Sequence, residues 1–179
     1  MKLIQNSYLL MLIICAFNGM GQTIAGYSFE NYRVDSFSKY KKAKINYESH
    51  KIAKLYKTAI TEGYELGEVN FAGHYITIFW GCGAGCQDGA MVDVIDGNVY
   101  KLPIGESKYY FGCSLAEDED CVNFFKNSCL FVSMVCIQSK NNESTDLQNR
   151  EYFINVWNES KKKFEFIKSV KENKIVKAD

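Results

Sequence analysis

Proline and histidine are scarce in this sequence, and neither sign of charge is in excess. Among 179 residues there is one proline, Pro103, and there are two histidines, His50 and His74. The 21 lysines and arginines balance the 21 aspartates and glutamates. The chain therefore lacks the basic excess that neutralises phosphates, and we expect no nucleic-acid partner. Two histidines leave few candidates for a general base, so an enzyme is the less favoured class of protein, and we expect no cofactor.

No stretch after residue 21 is long and apolar enough to span a membrane, and a short apolar run lies near the N-terminus. Lys2 precedes an apolar run at 8–17, and small residues follow, including Gly19 and Gly21. This run is too short to span ~30 Å of hydrocarbon, and the arrangement is typical of a signal peptide. We therefore predict a signal peptide at 1–21, no transmembrane segment, and a periplasmic or secreted mature protein.

Export makes the six cysteines after the signal peptide candidates for disulfide bonds. Cys82 and Cys86 are close enough in sequence to close a tight loop, and we predict a bond between them. We also predict a bond between Cys113 and Cys121. The pairing of the remaining two, Cys129 and Cys136, stays open, and both could be free buried thiols.

Hydrophobic periodicity predicts one helix followed by strands. Within 48–62 the apolar residues recur at helical spacing, with Asn46 or Ser49 as a possible N-cap and Gly63 as the residue that ends the helix. The strands are predicted at 73–80, 90–96, 99–102, 130–137, 151–157 and 163–170, and an exposed loop at 138–150. The predicted fold class is α+β, with one amphipathic N-terminal helix packed on an antiparallel sheet of about six strands.

The domain organisation follows from these elements. Hydrophobic residues make up 47% of the chain, which is typical of a packed globular protein and not of a disordered one. We predict a polar N-terminal segment at 22–47, a single α+β domain at 48–170 and a basic tail at 171–179.

The most informative segment is a glycine-rich connection between two predicted strands, Gly81-Cys-Gly-Ala-Gly-Cys-Gln-Asp-Gly89. Four glycines and two cysteines are more than a simple hairpin turn requires. A disulfide would make this loop rigid, and rigidity lowers the ordering cost of binding. We therefore predict a loop that binds a protein partner. Its residues are Trp80, Gly81, Cys82, Gly83, Ala84, Gly85 and Cys86, with Tyr75 as a flanking aromatic side chain.

Two motifs carry a resemblance to other proteins. The segments Asn70-Phe-Ala-Gly-His-Tyr75 and Trp80-Gly-Cys-Gly-Ala-Gly-Cys86 resemble those of an uncharacterised family of small exported bacterial proteins. The resemblance covers roughly residues 50–168. It implies export and similar domain boundaries, and it implies no particular activity.

A looser resemblance in layout is to the periplasmic inhibitors of vertebrate lysozymes. In that family a disulfide-closed loop enters the active-site cleft of the target, and a histidine of the loop contacts catalytic carboxylates. Here three residues, Gly83-Ala84-Gly85, separate the two cysteines where that family has four, and none of them is histidine. The resemblance therefore implies a stapled loop presented to a partner, without that histidine contact.

These observations lead to one favoured function and two alternatives. The favoured function is an exported, non-enzymatic binding protein, inhibitor-like, with a cell-wall hydrolase as a candidate partner. The first alternative is a thiol-based redox or copper site at Cys82 and Cys86, with His74 as a third ligand. The second is an enzyme that uses His74.

The predicted signal peptide gives a direct test. Because Gly19 and Gly21 occupy the two positions that a signal peptidase recognises, protein exported from a bacterial host should begin at or near Gln22. N-terminal sequencing of the exported protein measures this, and an intact Met1 on exported protein would contradict the prediction.

Overall fold

A computed structural model describes residues 22–36, 39–83, 86–104, 113, 115–117 and 119–177. The predicted signal peptide 1–21 lies outside these residues, as do Ala84 and Gly85 of the predicted loop. The helices are a 3-10 helix at Phe29–Tyr32, α1 at Lys51–Leu55 and α2 at Lys57–Leu66. The strands are β1 (Thr23–Ile24), β2 (Tyr27–Ser28), β3 (Tyr75–Gly83), β4 (Cys86–Asp93), β5 (Val99–Lys101), β6 (Val122–Phe124), β7 (Leu130–Lys140), β8 (Thr145–Asn158) and β9 (Lys163–Lys177).

The fold is mostly β, so the predicted α+β class is wrong. Over the described parts of the chain, nine strands form three antiparallel sheets, in the orders β1–β2, β3–β4–β5 and β6–β7–β8–β9. In the same residues only α2 is a helix of more than one or two turns. The prediction placed about six strands in a single sheet, whereas the observed strands divide between separate sheets that pack on each other.

Part of this error comes from segments that are polar and yet form strands. The predicted loop at 138–150 contains the ends of β7 and β8, which pair up to Lys140 and Asp146. Across this pair Gln138 donates a hydrogen bond to Asp146 at 2.8 Å, and Gln148 donates one to Gln138 at 2.9 Å. Polar side chains that satisfy each other across two strands leave no apolar alternation to detect. Similarly, the predicted basic tail continues β9 through Lys177.

The predicted helix is present but interrupted at Tyr56. Tyr56 has φ −115° and ψ 36°, which separates α1 from α2. The N-cap is His50, whose side chain accepts a hydrogen bond from the backbone N–H of Ile52, and not Asn46 or Ser49. Gly63 lies inside α2, where a Cβ atom would approach a side-chain carbon of Ile78 to 2.6 Å. Gly63 therefore permits close helix–sheet packing and does not end the helix.

Three apolar clusters hold the layers together. The first joins the helices to one face of the three-stranded sheet, the second joins the opposite face to the four-stranded sheet, and the third covers the far face of the four-stranded sheet with the N-terminal segment. Representative residues are Ala53, Ile60, Ile76 and Val92 in the first, Phe71, Tyr75, Met91, Phe131 and Trp157 in the second, and Phe29, Val132, Met134 and Ile154 in the third. Because β3 lies between the first two clusters, four successive residues from Tyr75 are buried.

The disulfide pattern is predicted only in part. Cys82 and Cys86 are bonded, as predicted. Cys113 is bonded to Cys136 and not to Cys121. Cys136 lies on β7 with its Cα atom 5.8 Å from that of Cys113, a separation suited to a disulfide. Proximity along the chain suggested Cys121, but the sheet brings a residue more distant in sequence to Cys113.

Cys121 and Cys129 are free thiols, and burial raises the pKa of each.

None of the described helices is both long enough and apolar enough to cross a membrane.

The turn between β4 and β5 gives a test of the packing between the chain segment before α1 and the sheet. Gly97 has φ +76°, and a Cβ atom there would lie 2.0 Å from the carbonyl oxygen of Lys44. Gly97→Ala should therefore lower the free energy of unfolding by about 2–4 kcal/mol. The matched control is Gly81→Ala, because that position has open space around it and should change stability by less than about 0.5 kcal/mol. Urea denaturation of both oxidised variants measures the difference; equal stabilities would contradict it.

Candidate functional site

The tip of the β3–β4 hairpin is the first candidate site. The two strands pair regularly from Tyr75 opposite Asp93 to Gly81 opposite Gln87, and the register then shifts between Gly81 and Gly83. This shift is a β-bulge at a glycine pair, and Gly83 has φ +134°. The disulfide between Cys82 and Cys86 closes the hairpin directly beyond it. The tip is thus fixed both by strand pairing and by a covalent bond.

The tip residues extend away from the rest of the described chain. Gly81, Cys82 and Gly83 are exposed, whereas the first four residues of β3 are buried. An added Cβ atom at Gly81 or Gly83 would meet no atom within 4 Å. The tip therefore does not brace the sheet from inside, and its shape is available to another molecule.

An aromatic pair supports the base of the tip. The rings of Trp80 and Tyr56 stack with centroids 4.5 Å apart and planes 23° apart. Tyr56 reaches this position because the helix is interrupted there. The neighbouring Leu55 is 73% exposed. Trp80 and Tyr56 are half-buried, so the base of the tip offers aromatic and aliphatic surface beside the exposed loop.

The structure separates Tyr75 and His74 from this tip. Tyr75 was predicted to flank the loop, but it is fully buried at the opposite end of β3. His74 precedes the strand, eight residues before Cys82, and eight steps of an extended strand cover about 26 Å. His74 therefore cannot join Cys82 and Cys86 in one metal site, and it cannot serve as a base for a Cys82 nucleophile.

The second candidate site surrounds His74 and consists of six side chains, which we call the His74 cluster. Its members are His74, Tyr75, Asp93, Trp157, Glu159 and Lys162. The Nε2 atom of His74 lies 3.6 Å from Oδ2 of Asp93 and 3.4 Å from Oε1 of Glu159. The ammonium group of Lys162 contacts the same two oxygens, at 3.3 Å from Asp93 and at hydrogen-bond distance from Glu159. Tyr75 and Trp157 each donate a hydrogen bond of 2.7 Å to Oε2 of Glu159.

The segment from Asn70 to Tyr75 fixes the position of His74. The side-chain oxygen of Asn70 accepts hydrogen bonds from the N–H and the hydroxyl of Thr77. Between Phe71 and Tyr75 the chain turns through Ala72 and Gly73, which have φ +43° and +84°. The N–H groups of these two residues donate to the carbonyl groups of Ser128 and Lys126. The segment therefore ties the start of β3 to the loop before β7 and leaves His74 directed at the ends of β4 and β8.

Burial and hydrogen bonding set the charges in the cluster. Burial alone would raise the pKa of Glu159, but hydrogen bonds from Lys162, Tyr75 and Trp157 outweigh it and lower this pKa to about 2. Burial and the hydrogen bond to Glu159 both raise the pKa of Tyr75. Burial opposes the charge of Lys162, yet its carboxylate partners raise its pKa. At neutral pH Glu159 is therefore a carboxylate, Lys162 an ammonium group and Tyr75 a neutral phenol.

A cavity of about 580 Å³ lies beside the cluster. His74, Trp157 and Glu159 form part of its wall, and so do Asp35, Cys129 and Glu165. Its walls thus combine an imidazole, three carboxylates and a thiol.

Sequence reasoning singled out His74 but missed its three charged neighbours. Asp93 had a detectable signal, because it is a carboxylate within the apolar run Met91-Val-Asp-Val94 and is 1% exposed. Glu159 and Lys162 lie in the turn between β8 and β9, where charged residues are ordinary. No local pattern links this turn to a residue some 85 positions earlier, and only the packing of the two sheets does so.

A third polar cluster is structural. Arg150 is almost fully buried and donates two hydrogen bonds to the two oxygens of Glu119, at 2.9 and 2.8 Å. The guanidinium group also donates to Gln148 and Tyr152, and Lys174 donates to Glu119 at 2.7 Å. Since the guanidinium group is engaged on both sides, this cluster fastens the segment around Glu119 to the four-stranded sheet.

Comparison of the chain with protein-family models, with curated proteins and with solved structures gives no match. The resemblances described from the two motifs therefore stay predictions, and the functional argument depends on the geometry of the sites.

The pairing of Glu119 predicts how stability depends on pH. Hydrogen bonds from Arg150 lower the pKa of Glu119 from 4.5 to about 2. A lowered pKa stabilises the fold above the unfolded value, and this contribution is lost as pH falls from about 4.5 to about 2. Glu119→Gln should remove up to about 2–3 kcal/mol at pH 7 and flatten that part of the stability–pH curve.

Chemical denaturation from pH 7 to pH 2 measures both effects. The control is Glu117→Gln, because the carboxylate that Arg150 binds is Glu119 and not this neighbour, so the stability–pH curve of the control should match that of the wild type. A Glu119→Gln curve parallel to the wild-type curve would contradict the prediction.

Proposed function

We propose that this chain is an exported, periplasmic or secreted binding protein that inserts the tip of the β3–β4 hairpin into a concave site of a protein partner. The observation that carries the proposal is the exposed tip at Gly81–Gly83, closed by a disulfide and free of packing against the described residues. Because the tip has no packing role in its own fold, we infer that the disulfide keeps its shape for contact with another molecule.

The energetic argument concerns the cost of ordering the loop. A glycine-rich loop loses much conformational entropy when it is bound. The bond between Cys82 and Cys86 removes part of that freedom before binding, so more of the contact energy remains as affinity. The stacked rings of Trp80 and Tyr56 hold the base of the loop and provide anchor area at the rim of the contact.

The charges around the tip indicate what kind of cleft it fits. Lys51, Lys54 and Lys57 are exposed on the helices on either side of Tyr56, and Lys54 pairs with Glu48. A basic flank beside an aromatic base favours a cleft with acidic walls. Glycoside hydrolases have such clefts, because their chemistry requires a pair of carboxylic side chains. An inhibitor-like contact with a cell-wall hydrolase is therefore the partner class that we propose.

The thiol-based alternative is less well supported. A redox or copper-binding function at Cys82 and Cys86 requires both sulfur atoms as thiolates, whereas the two are bonded to each other. Even when reduced, the pair would lack the third ligand that His74 was expected to supply.

The proposal is tested by changing the tip without changing the fold. Gly81→Glu places a charged side chain in open space, so it should alter the free energy of unfolding by less than about 0.5 kcal/mol. In the interface the same side chain would add bulk and negative charge, and we expect at least a tenfold loss of affinity. The control is Ser169→Glu, which adds the same charge at an exposed position of β9.

The probes are purified cell-wall hydrolases, beginning with a vertebrate lysozyme, and the readouts are binding and inhibition of cell-wall lysis. We expect the wild type and Ser169→Glu to inhibit, and Gly81→Glu to fail. Replacing both Cys82 and Cys86 with serine should weaken binding about tenfold, because ordering the loop then costs about 1–2 kcal/mol more. Equal binding by all variants would contradict the proposal.

A further inference from the structure

We propose that His74, Asp93 and Glu159 form a binding site for a divalent transition-metal ion, with zinc as the best match, and that Lys162 occupies this site until the metal displaces it. This inference goes beyond the partner-binding function and does not depend on it. The site lies at the start of β3, and the proposed binding tip lies at its other end.

The first argument is the spacing of the three ligand atoms. Zinc bound tetrahedrally at 2.0–2.1 Å requires its ligand atoms to be about 3.3–3.4 Å apart. The Nε2 atom of His74 lies 3.4 Å from Oε1 of Glu159 and 3.6 Å from Oδ2 of Asp93. The three ligand atoms all lie within 4.8 Å of one another. Two of the three separations already match this spacing closely, and the two carboxylate oxygens need only come within about 3.4 Å of each other for all three atoms to bind one ion.

The second argument is that each carboxylate has one oxygen held and the other directed at the site. Oε2 of Glu159 accepts hydrogen bonds from Tyr75 and Trp157. Oδ1 of Asp93 accepts one from the backbone N–H of Ile95 at 2.8 Å. Such second contacts fix the orientation of metal ligands and are part of a working site. The oxygens that remain, Oε1 and Oδ2, are the two that face His74 and Lys162.

The third argument is the local charge. Asp93 and Glu159 carry two negative charges, and Lys162 supplies one positive charge. A divalent ion in place of the ammonium group would balance the charges of both carboxylates. Lys162 can leave because its side chain is 37% exposed and its flexible stem can carry the charge into water. Displacement therefore does not bury an unpaired ammonium group.

The donor atoms select the kind of metal. One imidazole nitrogen with two carboxylate oxygens suits zinc and related divalent ions. Calcium and magnesium prefer oxygen ligands alone, and copper(I) prefers thiolates. Three protein ligands leave a fourth position for water, and a cavity of about 580 Å³ lies beside His74 and Glu159.

The decisive variant removes the resident cation. Metal-stripped protein is titrated with zinc chloride in competition with a chromophoric chelator. The wild type should bind one zinc ion per chain. Lys162→Met should bind it at least tenfold more tightly, because no ammonium group then competes for the two oxygens. The matched control is Lys161→Met, the neighbouring lysine, which pairs with Glu165 and should leave zinc affinity unchanged.

Loss-of-ligand variants complete the test. His74→Asn and Glu159→Gln should each weaken zinc binding at least tenfold, and circular dichroism checks that both are folded. Cys129→Ser should retain binding, which excludes the thiol that shares the cavity wall. The double serine variant of Cys82 and Cys86 should retain it too, which separates this site from the hairpin tip.

Three results would overturn the inference. The first is the absence of stoichiometric zinc binding in both the wild type and Lys162→Met. The second is equal zinc affinity of Lys162→Met and the wild type. The third is full zinc binding by folded His74→Asn. Because Lys162→Met is a gain-of-binding variant, a folding defect in the other variants does not leave the question undecided.

Discussion

Burial of β3 on both faces is the constraint from which the rest of the structure follows. The helices cover one face and the four-stranded sheet covers the other, so the four residues from Tyr75 to Ile78 are buried. Close approach of the layers requires glycine at Gly63 and Gly89, where a Cβ atom would meet Ile78 within 3 Å. Polar chemistry is excluded from the middle of the strand. Both candidate sites therefore lie at its two ends, where one or both layers stop.

The two ends of β3 are stabilised in different ways. Beyond the stacked rings of Trp80 and Tyr56, the described tip residues are exposed, so a disulfide and a bulge supply the order that packing does not. At the other end Asp93 is buried, and a buried carboxylate is costly unless it is paired. Lys162 and the hydrogen-bonded Glu159 offset that cost. The charge balance at this end therefore affects the stability of the fold, whereas the charge of the tip does not.

The sequence predicted local features well and long-range features poorly. The period-two pattern after residue 73 located β3, and the helical pattern located α1 and α2, because both depend on neighbouring residues. The short spacing of Cys82 and Cys86 likewise sufficed for their bond. The predicted fold class was wrong. Strand ends such as those within 138–150 are held by cross-strand hydrogen bonds between polar side chains, so they show no apolar alternation. Of the His74 cluster only His74 was found, because the other charges come from distant β-strand ends and turns.

The contrast between the ends also determines which changes each site tolerates. Substitutions at Gly81 meet no neighbouring atom, so the shape and charge of the tip can vary while the fold stays intact. At the cluster Gly73 cannot vary in this way, since a Cβ atom there would lie 2.2 Å from the carbonyl oxygen of Asp35. The backbone that presents His74 is thus fixed by the same contacts that begin β3. A site held this rigidly suits a ligand with strict geometric demands, such as a metal ion, whereas substitutions at the tip can change its surface to match a different partner.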